Sequence, residues 1–201
     1  MKQKVNTMSK RNPKNTKGKI ITAAWDLFYE LGYEDTTVEE IIEKSGTSKG
    51  SFYHYFEGKD ALLGSLSFIF DEEYEKLQET FSPDMTSFDK LIYLNTKLFE
   101  MIEERIDIDL LTRLYSTQLV TRGEKHLLDN RRLYYKLLKK IVIDGQKSKE
   151  ITDAMTVNEI VKLYAMSERA LIYDWCLCNG EYSLASYAKK IMPTFLSAIR
   201  I

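Results

Sequence analysis

Residues Thr36–Lys59, TTVEEIIEKSGTSKGSFYHYFEGK, decide how this chain is read. Thr37 followed three residues on by Glu40 is a capping box, so a helix is predicted to start at Thr37. Val38, Ile41 and Ile42 recur at helical spacing and form its inner face. Ser45-Gly46 closes it, because glycine takes the left-handed conformation that ends a helix. Thr47 or Ser48 can cap a second helix whose apolar residues Phe52, Tyr55 and Phe56 face inward. Lys49, Gly50, Ser51 and His54 are then left outward near its N-terminal end. Two short helices joined by a tight glycine turn are the pattern of a helix-turn-helix, in which the first residues of the second helix meet the base edges of DNA.

Working outward, an earlier helix is predicted over about Thr16–Leu31, with Ile20, Ile21, Ala24, Leu27, Phe28 and Leu31 on one face. Gly32 closes it, and Tyr33 can pack back on Phe28. Downstream, a long helix is predicted over Lys59–Phe81, about 33 Å at 1.5 Å per residue and so long enough to link two domains. Ser82-Pro83-Asp84 breaks it. Further helices are expected over Ser87–Ile106, Asp107–Val120 and Lys125–Asp144, with Gly123 between the last two and a polar linker over Gly145–Met155. A second capping box, Thr156 with Glu159, opens a helix that ends at Asn179-Gly180. The last helix starts at Ser183 and carries Leu184, Tyr187, Ala188, Ile191, Phe195 and Ile199 in a near-heptad seam, with Pro193 predicted to kink it or start its last segment. No strand pattern and no internal repeat interrupts this all-α layout.

The ordered set Ile20-Ile21-x-Ala23-Ala24-x-x-Leu27-Phe28-x-x-x-Gly32-Tyr33, Thr36-Thr37-Val38-x-x-Ile41, Gly46-x-Ser48-Lys49-Gly50-Ser51-Phe52-Tyr53-His54-Tyr55-Phe56 and Lys59-x-x-Leu62-Leu63 resembles the TetR family of bacterial transcriptional regulators. Thr47, where an apolar residue is usual, and Ile42, where a small one is usual, depart from the pattern. The resemblance covers the N-terminal quarter or so of the chain. It implies an all-α protein of about nine helices: residues 1–58 as N-terminal arm and three-helix DNA-binding domain, and residues 59–201 as a helical domain for effector binding and dimerisation. It also implies a cytoplasmic homodimer on double-stranded operator DNA, a repressor released by a small apolar or aromatic effector. A regulator with the same DNA-binding module that activates, or answers to a protein partner, is the alternative, and a helical scaffold or enzyme is the third reading.

Composition is compatible with this without deciding it. The chain has 201 residues, 44% of them hydrophobic, enough for one large or two small domains. A net charge of −1 does not by itself suggest nucleic acid. Its distribution does more, since residues 1–19 carry Lys2, Lys4, Lys10, Arg11, Lys14, Lys17 and Lys19 and no acid. Such a run reads either as an arm that meets phosphate or as a solvated tail; Lys17, at the start of the first helix, is assigned to phosphate. The N-terminus has no apolar core for a signal peptide. The longest uncharged apolar run, Ala61–Phe70, is about ten residues where a membrane span needs about 20. Cys176 and Cys178, two apart on a helix, point in different directions and are not expected to bridge. Neither histidine, His54 or His126, lies at metal-ligand spacing, and no phosphate loop or nucleophile elbow occurs, so no metal, cofactor or enzymatic activity is expected.

The DNA-contacting set expected from these readings is Lys17, Thr37, Thr47, Ser48, Lys49, Gly50, Ser51, Tyr53, His54, Tyr55 and Lys59. Lys49 can reach base or phosphate, and Gly50 makes sense where backbone must approach DNA closely. Thr37 and Lys59, each at a helix start, are placed at phosphates. The resemblance puts Tyr53 and Tyr55 at phosphates and His54 near bases or sugars, against the other reading of aromatic core residues with wet hydroxyls. The aromatic and methionine content of the C-terminal part reads as core; the resemblance implies instead an effector pocket, assigned here to Phe68, Phe99, Met101, Tyr115, Tyr134, Tyr135, Tyr164, Tyr173 and Trp175. Arg113, Arg169 and Glu168 are its candidate polar members. Tyr187, Ile191, Phe195, Leu196 and Ile199 are assigned to a dimer interface, which in the family is a four-helix bundle of the last two helices of each subunit.

Overall fold

The computed structural model describes residues 16–120, 122 and 125–201, so the basic arm Lys2–Lys14 and Gly123 lie outside the described residues. Ten α-helices are formed among them: α1 Thr16–Glu30, α2 Val38–Ser45, α3 Lys49–Tyr55, α4 Lys59–Leu63, α5 Leu66–Glu79, α6 Ser87–Arg105, α7 Ile108–Val120, α8 Leu133–Lys147, α9 Val157–Leu177 and α10 Leu184–Phe195. Short 3-10 turns add His126–Leu128 and Ser197–Ile199. No named strand occurs among the described residues, where Ile151 and Arg200 make one isolated antiparallel bridge. The all-α class follows from the sequence periodicity.

The chain divides into two compact units. One comprises Met1–Leu66 with Asp109–Arg122, the other Ser67–Ile108 with Gly123–Ile201. The first unit runs past the division expected at residues 58 and 59, because Leu62 and Leu63 of α4 are fully buried and Ser65 bonds to Trp25. Its core joins Ile20, Trp25, Ile41, Phe52, Leu62 and Leu63, all without solvent exposure. The second unit packs α6, α8, α9 and α10 around Leu91, Leu94, Phe99, Ile160, Tyr164 and Leu184.

Three local departures from the expected layout have visible causes. The single long helix predicted over Lys59–Phe81 is two helices, α4 and α5, broken at Gly64-Ser65. There the Ser65 amide bonds Leu62 O at 2.9 Å, tightening the turn, and the Ser65 hydroxyl donates to Leu62 O at 2.5 Å while accepting Trp25 Nε1–H at 2.7 Å. The helix expected from Lys125 begins only at Leu133, because Asp129 accepts the Arg131 amide at 2.9 Å and holds a turn. That helix then runs through Gly145 to Lys147. A Cβ on Gly145 would sit 2.7 Å from Ile151 Cδ1 and from Ser87 Cβ, so this glycine serves close packing where a linker was expected. Pro193 lies inside α10, which ends two residues later. Both cysteines are unbridged. No helix among the described residues is long and apolar enough to cross a membrane.

Candidate nucleic-acid interface

The helix-turn-helix is fixed by backbone capping at each of its ends. Thr37 Oγ1 accepts the Glu40 amide at 3.2 Å, and Glu40 Oε2 accepts the Thr37 amide at 2.8 Å, completing the capping box. Those bonds hold the Glu40 carboxyl below its usual range. Gly46 takes φ 63°, in the left-handed region, and the Thr47 amide returns to Ile42 O at 3.2 Å. Ser48, not Thr47, caps α3, accepting the Ser51 amide at 3.1 Å. Thr47 is instead half-buried and shares a 2.8 Å hydrogen bond with the Ser45 hydroxyl, which is how a polar residue is accommodated at that position.

Phe52 on α3 and Phe56, the residue that caps it one turn later, take the inner stripe. Tyr55, expected to face inward with them, is 42% exposed, because a helix of two turns offers one narrow inner face and Tyr55 flanks it. Lys49, Gly50, Tyr53 and His54 are exposed, while Ser51 is half-buried with its hydroxyl 2.9 Å from that of Ser48. Lys49 Nζ lies 3.5 Å from Glu39 and 6.0 Å from the Tyr53 ring centroid. Both members of that ion pair are well exposed, so it binds Lys49 weakly and leaves it free to move to another anion. A Cβ on Gly50 would meet only Ser48 Oγ, at 3.9 Å, so nothing in the protein's own packing asks for glycine there. Lys17 is exposed, with its ammonium 5.8 Å from the Phe56 ring centroid.

Two expected phosphate contacts are engaged elsewhere. Lys59 donates to Tyr33 O at 2.5 Å, Glu34 O at 3.2 Å and Thr36 O at 2.8 Å, with its ammonium 4.3 Å from the Tyr33 ring centroid. Its three protons thus tie down the α1–α2 loop, so a phosphate contact would cost those bonds. The Thr37 hydroxyl donates to Glu40 Oε2 at 2.8 Å, so a phosphate contact would cost that bond. The same loop is clamped by Arg113 of α7, whose guanidinium lies 5.0 Å from the Tyr33 ring centroid and pairs with Glu34. Arg113 therefore belongs to the first unit. Trp25, buried and bonded to Ser65, was not singled out in the sequence although its place between Ala24 and Leu27 marks it as core.

In the second unit the proposed pocket residues separate. Phe99, Met101, Tyr134, Tyr135, Tyr164 and Trp175 are buried, but Phe68 and Tyr173 are about half exposed. Tyr115 belongs to the first unit. Trp175 donates to Tyr182 O at 2.8 Å and closes the end of α9. The centre of the unit is polar: Glu168 on α9 accepts from Tyr134 Oη at 2.6 Å and from Asn95 Nδ2 at 3.1 Å, with Tyr74 Oη 3.4 Å from both of its oxygens. Burial pushes its carboxyl up from the ordinary range. Asn95 was missed, although it stands in the inner stripe Leu91, Leu94, Leu98 where a polar residue is conspicuous. The interface set also divides. Leu196 and Ile199 have no exposure and belong to the subunit's own core, because the chain leaves α10 in a 3-10 turn that folds them inward. Tyr187 and Phe195 are exposed and Ile191 is half-buried, forming an outer stripe on α10, and Met166, Tyr173 and Leu177 are exposed on α9. Among the described residues no group of His, Cys, Asp and Glu is gathered to hold a metal.

The family model for bacterial regulatory proteins of the tetR family matches residues 20–66, the span of this helix-turn-helix and its supports. The chain is 24% identical over 196 residues to the fatty acid metabolism regulator protein of Bacillus subtilis, covering 96% of this chain and 98% of that one. It is 28% identical over 157 residues to the transcriptional regulator QacR of Staphylococcus aureus, covering 73% and 80%. In fold it is similar to the repressor FadR of Thermus thermophilus, crystallised with lauroyl-CoA, at TM-score 0.75 and 19% identity over 92% of this chain and 95% of that one. FadR of Bacillus subtilis in complex with stearoyl-CoA superposes at TM-score 0.66 and 21% identity, over 92% and 100%. The named relatives are regulators and not enzymes. With its helix-turn-helix capped and its recognition face outward, residues 20–66 carry the helix-turn-helix module of the tetR family of bacterial regulatory proteins, with α2 and α3 as its two helices.

Proposed function

We propose that this protein is a homodimeric, cytoplasmic repressor that binds double-stranded operator DNA and is released by a small molecule held in its second unit. The observation that carries the DNA-binding assignment is the outward face of α3: an exposed lysine, a glycine that the fold does not need, and exposed Tyr53 and His54. Lys49 and His54 meet base edges, Gly50 lets the backbone approach, and Ser51 adds a hydroxyl. Lys17, Tyr53 and Tyr55 hold the flanking phosphates. Dimerisation is assigned to the outer stripe of α9 and α10, with Tyr187, Ile191 and Phe195 joined by Met166, Tyr173 and Leu177. Exposed apolar residues on both helices are the kind that marks an association surface.

The effector assignment draws on the lauroyl-CoA and stearoyl-CoA bound to the two FadR relatives, which make an acyl chain one candidate occupant. To release DNA, the molecule must bind the non-binding conformation more tightly than the binding one. Reversing a 99:1 population takes about 5.5 kcal/mol of that difference. Operator DNA must then weaken ligand binding by the same factor. Calorimetry of lauroyl-CoA with and without an operator, selected from genomic fragments by the purified protein, tests this: unequal affinities support release, and equal affinities remove lauroyl-CoA as the inducer.

A further inference from the structure

We infer that Arg113 of α7 is a positioning residue of the helix-turn-helix, fixing the α1–α2 loop and through it the attitude in which α2 and α3 meet DNA. This role rests on the DNA-binding reading above and brings in a residue from beyond the matched span, residues 20–66. The stretch Asp109–Arg122, which includes most of α7, belongs to the first unit. Leu110, Leu111 and Leu114 on α7 are buried, so the backbone that carries Arg113 is firmly held.

The loop that Arg113 grips enters α2 through Thr37, the N-cap residue whose capping box starts the helix. Its other ties come from inside the matched span. Thr36 Oγ1 donates to Gly32 O at 2.7 Å, Tyr33 Oη donates to Asp60, and Lys59 donates to the carbonyls of Tyr33, Glu34 and Thr36. Tyr33 is the hub of these contacts. It is 6% exposed, with the Lys59 ammonium 4.3 Å and the Arg113 guanidinium 5.0 Å from its ring centroid. Burial, and then the bond to Asp60, push its hydroxyl well above the ordinary tyrosine range, so it stays a donor at any working pH. Two cations beside one ring repel each other. The carboxylates of Asp60 and Glu34 offset that charge, and Glu34 does so by pairing with Arg113 directly. Arg113 therefore holds two successive loop residues, one by its ring and the next by its carboxylate. A planar guanidinium can stack and donate at the same time, which an ammonium cannot. The side chains of the Arg113–Glu34 pair are 40% and 69% exposed, so the pair adds little to global stability. Its effect is local: without it the loop keeps Lys59 and Asp60 but loses its tie to α7. A shift at Thr37 then passes along α2 and the Gly46 turn to α3, whose side chains need hydrogen-bond precision at the bases.

The test compares the full-length wild type with Arg113→Ala, Glu34→Ala and the double variant. Arg113→Ala should keep a melting temperature close to the wild type's and weaken binding to a selected operator by about two- to thirtyfold. The slope of log K against log salt should not change, because Arg113 positions the reading helix and touches no phosphate. Glu34→Ala should have no further effect once Arg113 is gone, since the two act as one contact. In DNA-free protein, amide hydrogen exchange should quicken at residues 32–41 of Arg113→Ala and stay as in the wild type elsewhere. Unchanged operator affinity, additive effects in the double variant, or uniformly faster exchange with a lowered melting temperature would each overturn the role. A slope shallower by about two would make Arg113 a phosphate contact, one on each subunit of a dimer, and would overturn it as well. Exchange is read without DNA, so the two readings fail separately. A wild type that retains no operator would sink the DNA-binding reading, and unaltered exchange at residues 32–41 would sink the clamp.

Discussion

Replacing Gly50 with alanine should move stability and DNA affinity in opposite directions. Gly50 does not have a left-handed φ, and an added Cβ meets nothing closer than Ser48 Oγ at 3.9 Å, an ordinary contact. The fold therefore has no steric reason to reject the methyl group. Alanine in a helix is favoured over glycine by about 0.5–1 kcal/mol. For a chain of this size, that is a rise in melting temperature of about 1–4 °C. The same methyl would stand on the exposed face proposed to meet DNA, where displacing one good base contact costs about 1–3 kcal/mol, or about five- to 150-fold in affinity. Differential scanning calorimetry gives the first quantity and fluorescence anisotropy with labelled operator the second. A lower melting temperature would mean that the glycine serves the fold. Unchanged operator affinity would mean that the α3 backbone does not approach DNA closely, and the assignment of this face would fall.

Phe195→Asp should yield a folded monomer that no longer retains operator, whereas Ile199→Ala should leave assembly intact and cost about 2–5 kcal/mol of stability by opening a core cavity. Sedimentation and thermal unfolding distinguish them, and an unchanged dimer for Phe195→Asp would place the interface elsewhere. Glu168 gives a pH dependence of definite sign. Its folded-state pKa is raised above the carboxyl's ordinary value of 4.5, so its contribution to stability is complete below that value and is lost as pH rises through the raised folded value. Relative to Glu168→Gln, ligand-free wild type should therefore weaken as pH climbs above about 4.5. Parallel curves for the two proteins would show that the carboxylate is not held in an unfavourable burial.

The helix-turn-helix was legible because its signals are local. A capping box, a Gly46 turn and the Phe52–Phe56 spacing each act within one or two turns of chain, and all appear where the residues place them. Partnerships across the sequence were not legible. Nothing local in Lys59 foretells that it closes the loop at Tyr33, Glu34 and Thr36, more than twenty residues away. Likewise Ser65 breaks the predicted long helix with the help of Trp25, 40 residues earlier. The seam on α10 was visible as a period, but periodicity alone does not say which apolar residues face the subunit's core and which face outward. Leu184, Ala188 and Met192 take the inner side, leaving Tyr187 and Phe195 outside. Asn95 and Glu168 come together from α6 and α9, so the buried polar centre emerges only with the tertiary packing.

The most direct test of operator binding is its salt dependence. If each subunit holds about four phosphates, a dimer releases the counterions of about eight, and log K against log salt should fall with a slope near −7. Measured by anisotropy between low and moderate salt on a selected operator, a slope of that size is the result expected of a dimer whose lysines and arginines neutralise about eight phosphates. A slope near zero would contradict the DNA-binding assignment.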